Sequence, residues 1–250
     1  MNLIPRINNR RNMKRTIFST ITVISLILAL LTGCEIAGLE LQKDFKFDAS
    51  IRDSRIDMDA LEFMKSRTDL FSSMIEAVNY TGMAEEYTKP GRTFLLLTNR
   101  ALSDETYAPS GSNVMGSYFA SNKVPNPAYD PADPSKGPQL LTPDTWDVYP
   151  VETVKEFLRY HTLKEEVTYR NAKAFPTFYE SLAYKGAGDT MLVSIHLTND
   201  RYAYLIVNGF AGSRKLDLRP RTSGIDCANG VIHVMDDFII PPTRAILGIK

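Results

Sequence analysis

The chemistry of Cys34 can be inferred from the residues around it. It ends the tetrapeptide Leu31-Thr32-Gly33-Cys34, at the close of an almost wholly apolar run of 15 residues, 17–31. A branched apolar residue, two small residues and a cysteine resemble the bacterial lipobox, in which the thiol forms a thioether to diacylglycerol. The sequence therefore predicts a lipid-modified Cys34 that attaches the protein to a membrane. The alternative is an ordinary secretory signal with a chance cysteine.

Residues 1–33 have the composition of an export signal. Five basic residues and no acidic residue occur before Glu35. The apolar run is shorter than the ~20 residues that a spanning helix needs, and its length is typical of a signal peptide. We expect residues 1–33 to be removed, with Met13 as a second possible start. Glu35 directly after the lipid cysteine resembles a signal for passage to the outer membrane, so we expect the protein to be located there.

The sequence contains none of the common catalytic motifs. A Gly-x-Ser-x-Gly elbow, a phosphate-binding loop and a His-Glu-x-x-His helix are all missing. Three histidines, His161, His196 and His233, could hold zinc, but their spacing gives no reason for them to meet. We interpret His161 and His233 as hydrogen-bonded core residues and expect His196 on an exposed strand face. The sequence therefore predicts neither an enzyme nor a protein with a metal or cofactor.

Charge and cysteine content narrow the possible partners. After residue 33 the chain has 24 basic and 29 acidic residues, a net charge of −5. This mild acidity argues against nucleic acid, which requires a basic surface. Cys227 has no partner for a disulfide once Cys34 is acylated, so we expect Cys227 to be a small core residue.

The pattern of apolar residues predicts helices early and strands late in the chain. Helical spacing indicates two short helices over 58–78, with Thr68 or Asp69 as a possible N-cap, and one helix over 151–160. The predicted strands are 93–98, 191–197, 202–207, 231–235 and 238–240, with a helical turn at 99–102 and a hairpin turn at 198–201. This order of elements indicates an α+β fold.

Residues 103–150 form a long irregular insertion. Seven prolines lie between positions 109 and 143, and loops of this length in compact domains are usually functional or disordered. The insertion is also rich in aromatic residues, which disordered linkers lack. We therefore expect it to carry a binding surface, with Trp146 as its main residue because tryptophan is enriched at hot spots. Further candidates are Tyr118, Tyr129 and Tyr149.

The C-terminal part of the chain resembles the second conserved box of the fasciclin domain. In this box an Asn-Gly turn, here Asn229-Gly230, leads into a strand that carries a buried histidine, here His233. The box ends at a proline pair, here Pro241-Pro242.

Further features of the family occur in the same order. Residues 93–102 are similar to the first box, a strand that ends in Thr-Asn and enters a helix. They depart from it at Leu97, where proline is usual, and at Leu102, where phenylalanine is usual. Tyr160-His161 resembles the Tyr-His pair that lies between the two boxes. The helical segment 70–87, which precedes the first box, resembles the leader helices of the family.

The resemblance implies two small β-sheets flanked by short helices, arranged as a wedge. We expect four parts: the signal peptide 1–33, a tether 34–56, a fasciclin-like domain 57–243 that includes the insertion, and a tail 244–250. Animal fasciclin domains use the Tyr-His region in integrin adhesion, so Tyr160 and His161 are further candidate binding residues by resemblance, beside a packing role.

The sequence thus predicts an adhesion or scaffold protein that binds a protein or glycan partner at the cell surface without catalysis. An accessory glycan-binding lipoprotein of an outer-membrane polysaccharide uptake system, with the insertion as its sugar platform, is the alternative. A hydrolase with a diverged site is a third interpretation.

Overall fold

The structure is a computed structural model that describes residues 55–107, 116–198, 203–213 and 217–249. Cys34, the expected signal peptide and nearly all of the expected tether lie outside these residues. The described residues belong to one compact unit, 53–250. Among them, no helix has the length and apolar content needed to cross a membrane.

The first two helices are Ala60–Ser66 (α1) and Thr68–Thr81 (α2). Asp59 caps α1 in a capping box with Glu62, each side chain accepting from the other residue's N–H. The expected cap at Thr68 or Asp69 is wrong, because α2 follows α1 after one residue and has no side-chain cap.

The apolar face of α2 packs on the first strand of the central sheet. Phe71, Met74 and Val78 recur at helical spacing and are fully buried. The Leu97 N–H points at the sulfur of Met74, 3.2 Å away. The helix ends at Gly82, whose positive φ of 68° suits a residue without a Cβ.

The remaining elements follow in chain order. The helices are Asn99–Leu102 (α3), Tyr118–Ser121 (α4) and Val151–Tyr160 (α5), with 3₁₀ turns at Ala84–Tyr87 and Pro134–Lys136. The strands are Arg92–Leu97 (β1), Val124–Pro125 (β2), Leu140–Leu141 (β3), Thr162–Leu163 (β4), Thr177–Glu180 (β5), Leu192–Leu197 (β6), Leu205–Val207 (β7), Thr222–Cys227 (β8) and Gly230–Met235 (β9).

The larger sheet has four strands in the order β4-β1-β9-β8. β1 runs parallel to β9, with Arg92 opposite Gly230 and Leu97 opposite Met235, and β4 and β8 pair antiparallel with their neighbours. Both central strands are buried almost throughout. The two segments that resemble fasciclin boxes are therefore adjacent strands at the centre of this sheet.

The smaller sheet consists of β5, β6 and β7, all antiparallel, and β2 and β3 form a separate two-stranded hairpin. An antiparallel bridge between Leu163 and Ser181 connects the ends of β4 and β5. Two small sheets with short helices confirm the α+β fold class. The expected strand at 238–240 is wrong, because the chain leaves the sheet after Met235 and Phe238 is buried in irregular structure.

The described chain begins at the β8 edge of the larger sheet. Arg55 forms a parallel bridge with Asp226, and the Ile56 N–H donates to the Asp226 carbonyl at 2.8 Å. The Ala228 N–H donates to the Met58 carbonyl at 2.9 Å. These contacts join the entry of the domain to the turn between β8 and β9.

That turn, Asn229-Gly230, connects three parts of the fold. The Asn229 side chain accepts from the Ala60 N–H at 3.0 Å and donates to the Tyr87 carbonyl at 2.8 Å. Gly230 has a φ of 153°, and a Cβ at this position would lie 2.1 Å from the Arg92 carbonyl oxygen. Only glycine therefore allows β9 to lie this close to β1.

Two buried histidines bind backbone groups from distant segments. His161 donates through Nδ1 to the Phe157 carbonyl at 2.8 Å, and its Nε2 accepts from the Ile239 N–H at 3.0 Å. His233 Nδ1 accepts from the Gly224 N–H at 3.1 Å, and its Nε2 donates to the Val167 carbonyl at 2.9 Å. In each ring one nitrogen must stay unprotonated to accept, which fixes a neutral tautomer.

These two histidines should make stability depend on pH. Burial lowers the pKa of His161 and His233 to about 4, from an ordinary 6.5. As the pH falls below 6.5 the unfolded chain therefore gains protons before the folded chain does, and folding stability is lost. We expect the free energy of unfolding to fall between pH 7 and pH 5 by about 2 kcal/mol for each histidine.

Urea denaturation at the two pH values measures this loss. A variant with both His161→Gln and His233→Gln, which retains amide donors and acceptors, should show a flatter profile than the parent protein. Equal unfolding free energies of the parent at pH 7 and pH 5 would contradict the neutral, bonded state of both rings.

Candidate binding site

Most aromatic residues of the insertion form one internal cluster. The ring of Tyr118 is its centre, with centroids of five other rings at 4.4 to 6.3 Å. These rings belong to Phe119, Trp146, Tyr149, Phe157 and Phe238. The insertion therefore packs on α5 and on the segment after β9.

Hydrogen bonds fix this cluster to α2. The Trp146 Nε1–H donates to the Ser73 carbonyl at 2.8 Å, and the Tyr80 hydroxyl donates to the Tyr149 carbonyl at 2.8 Å. The Tyr149 hydroxyl donates to the Asn122 carbonyl at 2.6 Å, and burial raises the pKa of this phenol above its usual range. Both indole and phenol groups are thus buried with partners, as stable cores require.

The structure corrects the expected role of Trp146, Tyr149 and Tyr118. All three are buried, with only 2% of Trp146 exposed. A partner could not reach these rings without opening the core. The aromatic content of the insertion therefore reflects burial of its stem.

The same correction applies to Tyr160 and His161, which are buried at the end of α5. The Tyr160 hydroxyl donates to the Leu192 carbonyl at 3.1 Å and accepts from the Asn208 side chain at 2.9 Å. Asn208 also donates to the Ile240 carbonyl at 2.9 Å. The Tyr-His pair thus connects α5 to the smaller sheet and to the chain after β9.

Tyr129 is the one predicted binding residue that lies at the surface, with a relative exposure of 40% for the residue. It belongs to the loop that joins β2 to β3. We call residues 124–141 the Tyr129 hairpin. Beside it, Leu140 and Leu141 are also exposed, so the hairpin presents apolar side chains to solvent.

The loop of the Tyr129 hairpin is ordered by its own hydrogen bonds. The Asn126 side chain donates to the carbonyls of Lys136 and Pro138, at 3.0 and 2.9 Å, and accepts from the Ala128 N–H at 2.9 Å. The Asn126 N–H donates to the Gln139 carbonyl at 2.9 Å. One asparagine therefore closes the loop across its base.

Two aspartates order the tip. Asp130 accepts from the Ala132 N–H at 2.9 Å and forms an ion pair with Lys136 at 3.0 Å. Asp133 accepts from both the N–H and the hydroxyl of Ser135, at 3.1 and 2.6 Å. Each is an Asx turn directly before or within a proline-rich bend.

These turns shape a shallow cleft beside the Tyr129 ring. The lining residues are Tyr129, Asp130, Pro131, Pro134, Gly137 and Pro138. The cleft has apolar walls and one carboxylate, and none of its prolines has an N–H that would need a partner.

The described residues also contain an apolar pocket that the sequence did not indicate. It has a volume of about 220 Å³ and lies between the segment after β7 and the C-terminal segment. Phe210, Leu218, Pro242 and Ile246 are among its lining residues. They lie in irregular segments, where no periodicity could reveal that they converge.

His196 and Cys227 are the remaining histidine and cysteine of the described residues, and they lie apart from the Tyr129 hairpin in sequence. His196 is half-buried, so the expectation of an exposed ring is wrong. Cys227 is also half-buried, and its thiol donates to the Gly230 carbonyl at 3.1 Å. Burial raises its pKa, which keeps the thiol protonated. Among the described residues, no group of three or more His, Cys, Asp or Glu side chains is arranged so that it could hold a metal ion.

Comparisons with known proteins give one finding about the fold. No family model matches the sequence, and no curated protein matches it. Among solved structures, the chain is similar to a FAS1 domain pair from the insect cell adhesion molecule fasciclin I, with 12% sequence identity and a TM-score of 0.45. The match covers 75% of this chain and 52% of that one, so this chain spans about half the length of the pair.

Trp146 and Tyr129 should differ sharply in their effect on stability. We expect Trp146→Ala to lower the free energy of unfolding by about 3 to 5 kcal/mol, because it leaves a cavity in the aromatic cluster. Tyr129→Ala should change it by less than about 0.5 kcal/mol, as is usual for surface positions. Denaturant titration measures both values.

The fluorescence of Trp146, the only tryptophan of the chain, gives an independent check. Its emission should be that of a buried indole in the parent and in Tyr129→Ala. A solvent-exposed emission maximum in the parent, or similar losses of stability in both variants, would contradict the division into a buried stem and an exposed tip.

Proposed function

We propose that this protein is a non-enzymatic adhesion or scaffold module of the fasciclin type, displayed from the cell envelope by a lipid on Cys34. In this proposal the Tyr129 hairpin contacts a protein or glycan partner. The observation that carries it is the contrast within the insertion, whose stem is buried and whose tip is ordered and exposed.

The rigidity of the hairpin favours binding. Its loop is ordered by Asn126, Asp130 and Asp133 without burying a core of its own. Most of the conformational entropy that a flexible loop would lose on binding is therefore already lost on folding. A rigid loop with exposed apolar residues fits a contact surface better than it fits a spacer.

Hydrogen bonds next to both ends of the hairpin attach it to the domain. Asn122, two residues before β2, accepts from Tyr149 in the aromatic cluster. On the other side, Trp146 follows β3 closely and bonds to Ser73 of α2. The hairpin thus has a defined orientation on the domain, so its exposed residues face a partner in one fixed arrangement.

The surroundings of two histidines and one cysteine support a role without catalysis. His161 and His233 have both ring nitrogens engaged by backbone groups, and the thiol of Cys227 has a raised pKa. These are the side chains that most often act as bases or nucleophiles. Their surroundings give them packing and bonding roles.

The attachment is proposed from the sequence before the domain. The 20 residues 35–54 lie between the predicted lipid cysteine and the first described residue. Fully extended they would reach at most about 70 Å. Such a tether would let the Tyr129 hairpin meet partners near the same membrane surface.

Loop replacement tests the proposed contact. Residues 126–139 are replaced by Asn-Gly, a turn that suits a two-residue hairpin, in the full-length protein. We expect the variant to keep the buried emission of Trp146 and to bind isolated envelopes of the producing cells at least about tenfold more weakly. Phe175→Ser, which changes an exposed aromatic residue outside the hairpin, is the matched control. Unchanged envelope binding by the folded loop variant would refute the proposal.

Substitution of Cys34 tests the anchor. We expect Cys34→Ser to abolish incorporation of labelled palmitate and to move the protein from the detergent phase to the aqueous phase, because the acceptor thiol is missing. Intact-mass analysis of the native protein should give a chain that begins at Cys34 with added acyl mass. Palmitate labelling that persists in the Cys34→Ser variant would rule out the lipobox interpretation.

A further inference from the structure

We propose that the cleft of the Tyr129 hairpin binds one ring of a neutral glycan, with the apolar face of the sugar on Tyr129 and two adjacent hydroxyls on the Asp130–Lys136 pair. This inference rests on the proposed function, since it names the partner of the same hairpin.

The ring of Tyr129 supplies the stacking surface. It lies in the cleft with Pro131, Pro134 and Pro138, and the relative exposure of the residue is 40%. A pyranose can present a face of C–H groups, and such a face packs on an aromatic ring, whose π face carries partial negative charge. The pyrrolidine rings extend this apolar surface without adding donors that would need partners.

An ion pair of the same loop supplies the polar contacts: Asp130 lines the cleft, and Lys136 is bonded to Asp130. Asp130 Oδ2 and Lys136 Nζ are 3.0 Å apart, and both side chains are substantially exposed. They present an acceptor and a donor side by side. A hydroxyl group can both donate and accept, so two adjacent hydroxyls can donate to the carboxylate and accept from the ammonium together.

The orientation of this pair is fixed in advance. The second oxygen of Asp130 accepts from the Ala132 N–H, and this bond, followed by the contact with Lys136, holds the pKa of Asp130 below its usual range. The Lys136 carbonyl in turn accepts from Asn126. The carboxylate therefore stays ionised and the pair keeps its place when the cleft is empty.

The charge of the cleft indicates a neutral ligand. Asp130 and Lys136 balance each other, so the cleft offers no surplus charge to an acidic or basic partner. A proline-rich peptide would be the other ligand for a tyrosine and proline surface, but the grooves that bind such peptides are lined by several aromatic residues. This cleft has one aromatic residue, Tyr129, which offers a stacking surface for one sugar ring.

Direct binding tests the inference with defined probes. The full-length protein in detergent is titrated calorimetrically with cellohexaose, mannohexaose, xylohexaose and maltohexaose. We expect at least one to bind, and Tyr129→Ala to weaken that binding by about tenfold or more, while Tyr129→Phe stays within about twofold because the ring face remains. Lys136→Met and Asp130→Asn each change one member of the ion pair, so we expect the two variants to weaken oligosaccharide binding by similar factors.

Periodate adds a readout that is specific for adjacent hydroxyls, because it cleaves the bond between the carbons that carry them. We expect an oxidised oligosaccharide to lose binding. The inference is overturned if no oligosaccharide binds, if Tyr129→Phe loses as much as Tyr129→Ala, or if oxidised sugars bind as before.

These outcomes separate the inference from the proposed function. Suppose that loop replacement abolishes envelope binding, that protease treatment of the envelopes also abolishes it, and that periodate treatment does not. The hairpin would then be assigned to a protein partner. The contact function would then stand and the glycan inference would fail. Loss after periodate and not after protease supports both.

Discussion

The parallel contact between β1 and β9 is the constraint on which the rest of the fold depends. It places Arg92 opposite Gly230 at a separation that excludes any Cβ on the glycine. Because the two strands are far apart in sequence, their pairing brings together everything attached to them. Asn229 reaches from the end of β8 to α1, and Met74 of α2 packs on β1. The helices are therefore positioned by the sheet.

The elements that could be predicted are those that the local spacing of apolar residues indicates. Residues 58–78 show the helical spacing that α2 buries, and the uninterrupted apolar run of β1 has no amphipathic alternative. β8 was missed because Thr222, Gly224 and Asp226 make it look like a turn. It is a strand because β9 offers a hydrogen-bonding edge, which no local pattern reports. The same applies to the two-residue β4.

The sequence directs attention to residues 103–150 through their length and proline content, but it does not say which of their side chains reach the surface. Trp146 and Tyr129 are equivalent in a one-dimensional pattern, since both stand among polar residues and prolines. What separates them is burial against a tertiary partner: Trp146 packs on Tyr118 and bonds to Ser73, whereas Tyr129 is exposed beside the prolines of its own loop. Burial of this kind is decided by contacts across the fold, not by neighbours in sequence.

The entry of the chain at Arg55 has a mechanical consequence. If Cys34 carries the anchor, tension enters the domain at Arg55, where the chain forms a parallel bridge with β8. Ile56 bonds to Asp226 of β8, and Met58 and Ala60 bond to Ala228 and Asn229 of the turn that follows. A pull along β8 would load these bonds in shear, so they would share the force and yield together, instead of opening one after another as in a peeled strand. An anchor on this side of the domain would therefore pull against several bonds at once.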